Sequence, residues 1–296
     1  MGWLVTGAAG MLGTDLCRVL DRRGISVTAV ARGDLDLLDP VAVGDAVAAH
    51  DVVVNCAAWT AVDAAETHEE EAAAINAVAP GVLARAAAEH DRLIVQVSTD
   101  YVFDGTAQTP YDEDAPLGPR SAYGRTKAAG EQAVRAAAPD NHLVVRTAWL
   151  YGAHGSCFPR TIARLARERR QVTVVDDQIG QPTWTVDVAE LVCRLVEGGA
   201  PAGTWHATSA GETSWFGFAR RVVEAAGLSP EVVEPTRTTD PVSDAVRPGS
   251  EVRAERPAYS VLGHAKLHAH GIEAIGAWEE RWQAAASAVL VVEEPE

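Results

Sequence analysis

The chain has 296 residues, 47% of them hydrophobic and 22% charged, an ordinary globular composition that allows one large domain or two and a core needing no disulfide or metal staple. Its 25 Lys and Arg against 41 Asp and Glu leave a formal charge of −16. So acidic a chain excludes non-specific nucleic-acid binding, which needs basic patches against phosphates. An anionic small ligand stays open, because a few local N–H groups and one Arg can overcome the global field.

The first residues Trp3-Leu4-Val5 carry no basic flank and run straight into a glycine motif, so they read as a strand and not a signal peptide. No window approaches the roughly 18 apolar residues of a membrane span. The expectation is a cytoplasmic protein with no membrane contact. Cys17, Cys56, Cys157 and Cys193 form no CxxC pair and read as small core hydrophobes. The histidines His264, His268 and His270 have no matching acid or Cys set, so no metal is expected.

In chain order, Gly2 to Thr6 reads as a strand, Met11 to Arg22 as a helix and Ser26 to Ala31 as a second strand. Val41 to Ala49 is a helix, with Asp39 as N-cap and Pro40 at the first helical position. Asp51 to Cys56 is a strand, Glu69 to His90 one long helix, and Leu93 to Ser98 the fourth strand. A helix over Thr126 to Ala138 and a strand over Leu143 to Thr147 follow. Short apolar runs thus alternate with helical periodicity, which predicts an α/β fold: a Rossmann-type doubly wound parallel sheet covered on both faces. Beyond Thr147 the pattern loosens. Phe158 to Arg170, Val186 to Val196, Ser214 to Ala226 and Ala277 to Leu290 read as helices. Val172 to Val175 and Gly203 to Ala207 read as strands. Pro230 to Pro257 is rich in Pro and Thr, and Val291 to Glu296 is an acidic, frayed tail. The expected division is a dinucleotide-binding unit over 1–150, completed by parts of 172–207, and a smaller mixed α/β unit from 151–171 and 208–290.

The first strand leads into Gly7-Ala8-Ala9-Gly10-Met11-Leu12-Gly13. Gly7 supplies the tight turn, Gly10 lets the backbone approach a pyrophosphate, and Gly13 lets the helix pack close to the sheet. The helix N-terminus then offers unpaired N–H groups to the phosphates. Such triplets are common; the strand before and the helix after give this one its specificity. The second strand ends in Ala31-Arg32-Gly33. An acid there would bond a ribose 2′-OH, whereas an Arg accommodates a 2′-phosphate. With Ala31 in the acid's place and Arg32 next, the cofactor reads as NADPH, with NADH use left open. A solvated surface Arg is the plainer alternative.

Tyr123 and Lys127 form YxxxK, one helical turn apart and therefore on one face. A phenol of pKa near ~10 exchanges its proton poorly at neutral pH, and a neighbouring ammonium, with the positive nicotinamide when oxidised, is expected to lower that value. Tyr123 can then protonate a carbonyl oxygen as hydride reaches the carbon. The motif alone recurs by chance. Ser98-Thr99-Asp100 at the end of the fourth strand raises its weight, because a hydroxyl there can bond the same oxygen from the other side. A turn that merely caps the strand is the plainer reading of Thr99 and Asp100.

GAAGMLG, VVNCAAWTAVDAAE, VSTDYVFDG, SAYGRTKAAGE, VVRTAWLYG, DDQIGQPTW and RPAYSVL occur in that order between Gly7 and Leu262. Together they resemble the dTDP-4-dehydrorhamnose reductase family of extended short-chain dehydrogenases, over essentially Gly2 to Trp282. The resemblance implies reduction of dTDP-4-dehydro-6-deoxy-L-lyxo-hexose to dTDP-L-rhamnose with NADPH or NADH. It puts Gly10, Met11 and Leu12 at the pyrophosphate, Asp36 and Leu37 beside the adenine, and Ala58, Trp59 and Thr60 on the nicotinamide side. Thr99, Tyr123 and Lys127 match its catalytic triad, and Val62, Thr99, Asp100, Tyr123 and Trp149 its sugar contacts. Of two Arg-Pro pairs, Arg247-Pro248 and Arg256-Pro257, the second matches the family motif because Tyr259-Ser260 follows it, so Arg256 joins the substrate residues. Ala31 departs from relatives with an acid there, which weakens any transfer of NADH usage. Trp149, Trp184 and Trp215 could all stack on a sugar or base; Trp149 is favoured because it ends a strand on the crevice side.

Three other readings compete. A 4-ketoreductase for another dTDP-deoxyhexose shares every residue named. A 4,6-dehydratase or epimerase would want an acid pair after the hydroxyl, and Asp100 is followed by Tyr101. A non-catalytic subunit holding NADP would be expected to lose part of the triad, which is complete. The sequence leaves a homodimer open.

Overall fold

The computed structural model describes residues 1–169, 171–240 and 252–291. From the N-terminus, β1 (Gly2–Thr6), α1 (Met11–Arg22), β2 (Ser26–Val30), α2 (Pro40–Ala48) and β3 (Val52–Asn55) lead to α3 (Val62–Ala65), α4 (Glu69–Ala73) and α5 (Ala79–Glu89). Then come β4 (Leu93–Thr99), α6 (Ala122–Ala137), β5 (His142–Thr147), β6 (Leu150–Tyr151), α7 (Phe158–Glu168) and β7 (Val172–Val175). The remainder comprises β8 (Ile179–Gly180), β9 (Thr183–Trp184), α8 (Thr185–Glu197), β10 (Gly203–His206), β11 (Thr213–Ser214), α9 (Trp215–Ala225), β12 (Val233–Thr236), α10 (Ala265–Ala269) and α11 (Trp278–Leu290).

Six parallel strands form one sheet in the order β10-β5-β4-β3-β1-β2. The chain winds outward from β1 to β2, then crosses back to β3 on the other side of β1. The carboxyl ends of β1 and β3 therefore diverge into a crevice, the place where open α/β sheets bind ligands. Strand alternation covers both faces. Trp3 and Val5 pack with Leu16 and Leu20 of α1 and Val188, Leu191 and Val192 of α8, whereas Leu4 packs with Val43 and Val47 of α2 and Leu83 of α5. A second apolar cluster joins Ile162, Val172, Phe218, Trp278 and Trp282 from α7, β7, α9 and α11.

Several expected elements shift, each for a local reason. The long helix over Glu69 to His90 is interrupted by a π-helical turn at Ala74–Val78. Pro80 has no N–H to give the carbonyl of Asn76, so the α ladder cannot continue there. Gly130 of α6 packs onto that carbonyl, where a Cβ would lie 2.0 Å from the Asn76 oxygen. The helix expected from Thr126 begins at Ala122, because the Ser121 hydroxyl accepts from the Gly124 N–H at 3.1 Å and caps it. Tyr123 thus stands on the first turn of α6. The Pro- and Thr-rich stretch contains a strand, β12, which pairs in parallel with β7. The helix expected to reach Arg170 ends at Glu168; Arg170, the pair Arg247-Pro248 and residues 292–296 of the tail lie outside the described residues.

Candidate active site

A crevice of about 1440 Å³ opens at the carboxyl ends of β1, β3 and β4. Gly7 turns away from β1 at a φ of 66°, and a Cβ there would lie 2.6 Å from the Ala57 nitrogen. A Cβ on Gly13 would lie 2.3 Å from the Gly7 oxygen, so only glycine lets α1 start this close to the turn. Gly10 caps α1 with no side-chain bond, leaving the first helical N–H groups at the crevice without a capping side chain. This cradle fits a dinucleotide pyrophosphate. Met11, Leu12, Arg32, Asp36 and Leu37 line the crevice on one side, and Ala58, Trp59 and Thr60 on the other. Arg32 is exposed. The carboxylate of Asp34 accepts from the Ala31 N–H at 2.8 Å, closing its own turn.

Thr99, Tyr123 and Lys127 meet in this same crevice, Thr99 at the end of β4 and the other two on α6. The Thr99 hydroxyl lies close enough to the Tyr123 phenol to favour its charged form. Lys127 is buried and its Nζ donates to the Val97 carbonyl at 2.7 Å. Burial pushes the Lys127 ammonium down to about 8, against the opposing pull of Glu131. The phenol's own protein surroundings act against the lowering expected from the ammonium and the oxidised nicotinamide. Desolvation raises the Tyr123 pKa, reinforced by Asp100 and Tyr101 and opposed by the Thr99 hydroxyl. Desolvation of the phenol favours its protonated form. A protonated phenol is what a proton donor requires.

Asp100 lies behind this group, 2% exposed, accepting from the Thr99 hydroxyl at 2.9 Å. Burial pushes its carboxyl up to about 6, opposed by bonds from Ser260 and Thr99, and its Oδ2 has no hydrogen-bond partner. Trp149 reaches the crevice from a left-handed backbone with a φ of 45°, packed over Gly180 and stacked on Trp215 at 3.6 Å between ring centroids.

All the expected cofactor residues thus share one crevice with the triad and Trp149. Val62, Asp100 and Arg256 are not among the residues lining it. The Arg256 guanidinium grips both carboxylate oxygens of Asp63, at 2.7 and 2.8 Å, and also bonds Tyr101. It ties the segment around Pro257 onto α3, and the partner that holds it stands 193 positions earlier in the chain. Gly155 and Ser156 line the crevice unforeseen, on a loop with no sequence signal. So does the support of Trp59: the Asn76 amide accepts from its N–H at 2.9 Å and donates to its carbonyl at 3.1 Å.

Comparison with known proteins agrees with this geometry. The family described as RmlD substrate binding domain matches residues 1–291. A dTDP-4-dehydrorhamnose reductase from Streptomyces griseus is 48% identical over 93% of this chain and 90% of its own length. A dTDP-4-keto-6-deoxy-D-glucose reductase from Streptomyces niveus is 46% identical over 93% of each. Among solved structures, the dTDP-4-dehydrorhamnose reductase of Bacillus anthracis in complex with NADP superposes with a TM-score of 0.89 at 33% identity, covering 96% of this chain and 98% of that one. No helix among the described residues is long and apolar enough to cross a membrane. The chain belongs to the dTDP-4-dehydrorhamnose reductase family of short-chain-dehydrogenase-type oxidoreductases.

Proposed function

We propose that the protein reduces the 4-keto group of a dTDP-linked 6-deoxyhexose with NADPH, acting on dTDP-4-dehydro-6-deoxy-L-lyxo-hexose to give dTDP-L-rhamnose. The observation that carries the reading is the meeting of Thr99, Tyr123 and Lys127 in the crevice that begins at the glycine turn. NADPH, when bound, supplies the hydride. Gly7, Gly10, Met11, Leu12 and Gly13 would hold its pyrophosphate, Arg32 its 2′-phosphate, Asp36 and Leu37 its adenine end, and Ala58, Trp59 and Thr60 its nicotinamide side.

The chain's own residues do the rest. Tyr123, kept protonated by burial, donates its proton to the 4-oxygen. Thr99 bonds that oxygen from the other side, where charge develops. Lys127 holds the cofactor ribose and sets a positive charge beside the phenol. Trp149 offers the sugar a flat apolar face. The division that goes with this reading has residues 1–150 and parts of 172–207 holding the dinucleotide, and 151–171 with 208–290 holding the sugar nucleotide.

A second reading, reduction of another dTDP-4-keto-6-deoxysugar, is supported by the near-equal likeness to the Streptomyces niveus reductase. One assay separates the two. NADPH oxidation is followed with dTDP-4-dehydro-6-deoxy-L-lyxo-hexose and with dTDP-4-keto-6-deoxy-D-glucose, and the product's configuration at C4 is determined. A higher kcat/KM on the first with dTDP-L-rhamnose as product supports the proposal. Preference for the second, or NADPH oxidation with neither, sinks it.

A further inference from the structure

Glu131 lies one helical turn beyond Lys127 on α6 and is fully buried. It accepts four hydrogen bonds. Ser98 Oγ donates at 2.6 Å and Arg146 Nε at 2.9 Å to one oxygen, and Arg146 Nη2 and Arg135 Nη2 at 2.8 Å each to the other. Arg146, on β5, is 1% exposed and gives its remaining Nη1 to the Glu113 carbonyl at 3.0 Å. A buried carboxylate–guanidinium pair gains little net stability, since desolvation offsets the attraction. Its location is the more informative feature. Ser98 stands between Val97, whose carbonyl receives the Lys127 ammonium, and Thr99. Two successive residues at the end of β4 are thereby laced to the helix that carries Tyr123 and Lys127.

We propose that Glu131 is a positioning residue for the reduction, fixing Thr99 opposite Tyr123 through Ser98 and holding Lys127 as an ammonium by its charge. The charged and titratable groups around this pair are few. Arg146 and Arg135 face Glu131, and Cys56 at the end of β3 and Tyr123 on the preceding turn accompany Lys127. The Cys56 thiol is pushed up to about 12 by burial, so it is neutral in the working range. Glu131 is left as the anion that opposes the desolvation of Lys127. Without it, Lys127 would lose its proton at lower pH.

The inference rests on the proposed role of Lys127, and Lys127→Ala tests that role separately: near-normal turnover in that variant would remove the reading beneath it. The test proper is the pH profile of kcat/KM for the sugar nucleotide at saturating NADPH, which reports groups of the enzyme–NADPH complex. Glu131→Gln keeps the acceptor for Ser98 and removes the charge. Its alkaline limb should move to lower pH by on the order of one unit, the effect of losing one close opposite charge. Ser98→Ala keeps the charge and cuts the lace. It should lower kcat several-fold with the limb in place and NADPH affinity unchanged. A folded Glu131→Gln enzyme with reduced kcat and an unmoved limb would make Glu131 a purely structural residue. Should Glu131→Gln not fold, Ser98→Ala decides, and full kcat in that variant overturns the proposal.

Discussion

Replacing Asp100 by Asn should remove its pH-dependent effect on stability. The Asp100 carboxyl is buried, lacks a partner for Oδ2, and is pushed up to about 6 from an ordinary value near ~3.9. A raised carboxyl pKa means that the folded state binds the proton more tightly than the unfolded chain. The stability it contributes is thus fully present below about pH 4 and is lost as pH rises through about 6. A difference of about two units corresponds to about 3 kcal/mol at most by pH 7, or roughly 2 kcal/mol between pH 4 and pH 7. Asn retains the oxygen that accepts from Thr99 but puts an unpaired N–H₂ where Oδ2 was, a fixed cost of about 1–3 kcal/mol. The absolute stability change at one pH is therefore small, and the informative quantity is its slope. Urea unfolding of both proteins from pH 4 to pH 7 should show Asp100→Asn gaining roughly 2 kcal/mol on the wild type as pH rises. A flat difference, or a gain toward low pH, would refute the argument from burial.

Tyr123→Phe removes only the donor hydroxyl and should lower turnover by about 10²–10⁴ with NADPH affinity nearly unchanged; near-normal turnover rules the phenol out as the acid. Thr99→Val is nearly isosteric and should cost about 2.7–4 kcal/mol at the transition state, read from kcat/KM. Arg32→Ala should reduce kcat/KM for NADPH and leave that for NADH almost unaltered; an equal loss with both cofactors would place Arg32 away from the 2′-phosphate.

What was legible in the sequence is what depends on local backbone rules. Gly7 and Gly13 announce a turn that admits no Cβ, and the four-residue step from Tyr123 to Lys127 does put both in one crevice. The break at Asn76 was within reach, because Pro80 visibly lacks the N–H that an unbroken helix needs there. So was the start of α6, which Ser121 signals as a cap. Arg256 was not within reach. Its partner Asp63 is brought to it only by the tertiary fold. The upward push on the Tyr123 phenol was out of reach for a related reason, since desolvation of a side chain is set by the whole fold and spacing reports only neighbours on one helix. Gly155 and Ser156 are placed by the loop after β6 and carry no local signature of a ligand wall.

The central claim is hydride delivery to C4 of a dTDP-4-keto-6-deoxyhexose, and isotopic labelling tests it most directly. The enzyme is given NADPH deuterated at nicotinamide C4, in separate reactions for each face, with the L-lyxo sugar nucleotide, and the product is analysed by NMR. One labelled face should place deuterium at C4 of a dTDP-6-deoxyhexose, with one NADPH consumed per product, and Tyr123→Phe should slow that transfer without changing its face. Oxidation of the cofactor with no label at C4, or label at another carbon, would contradict the account.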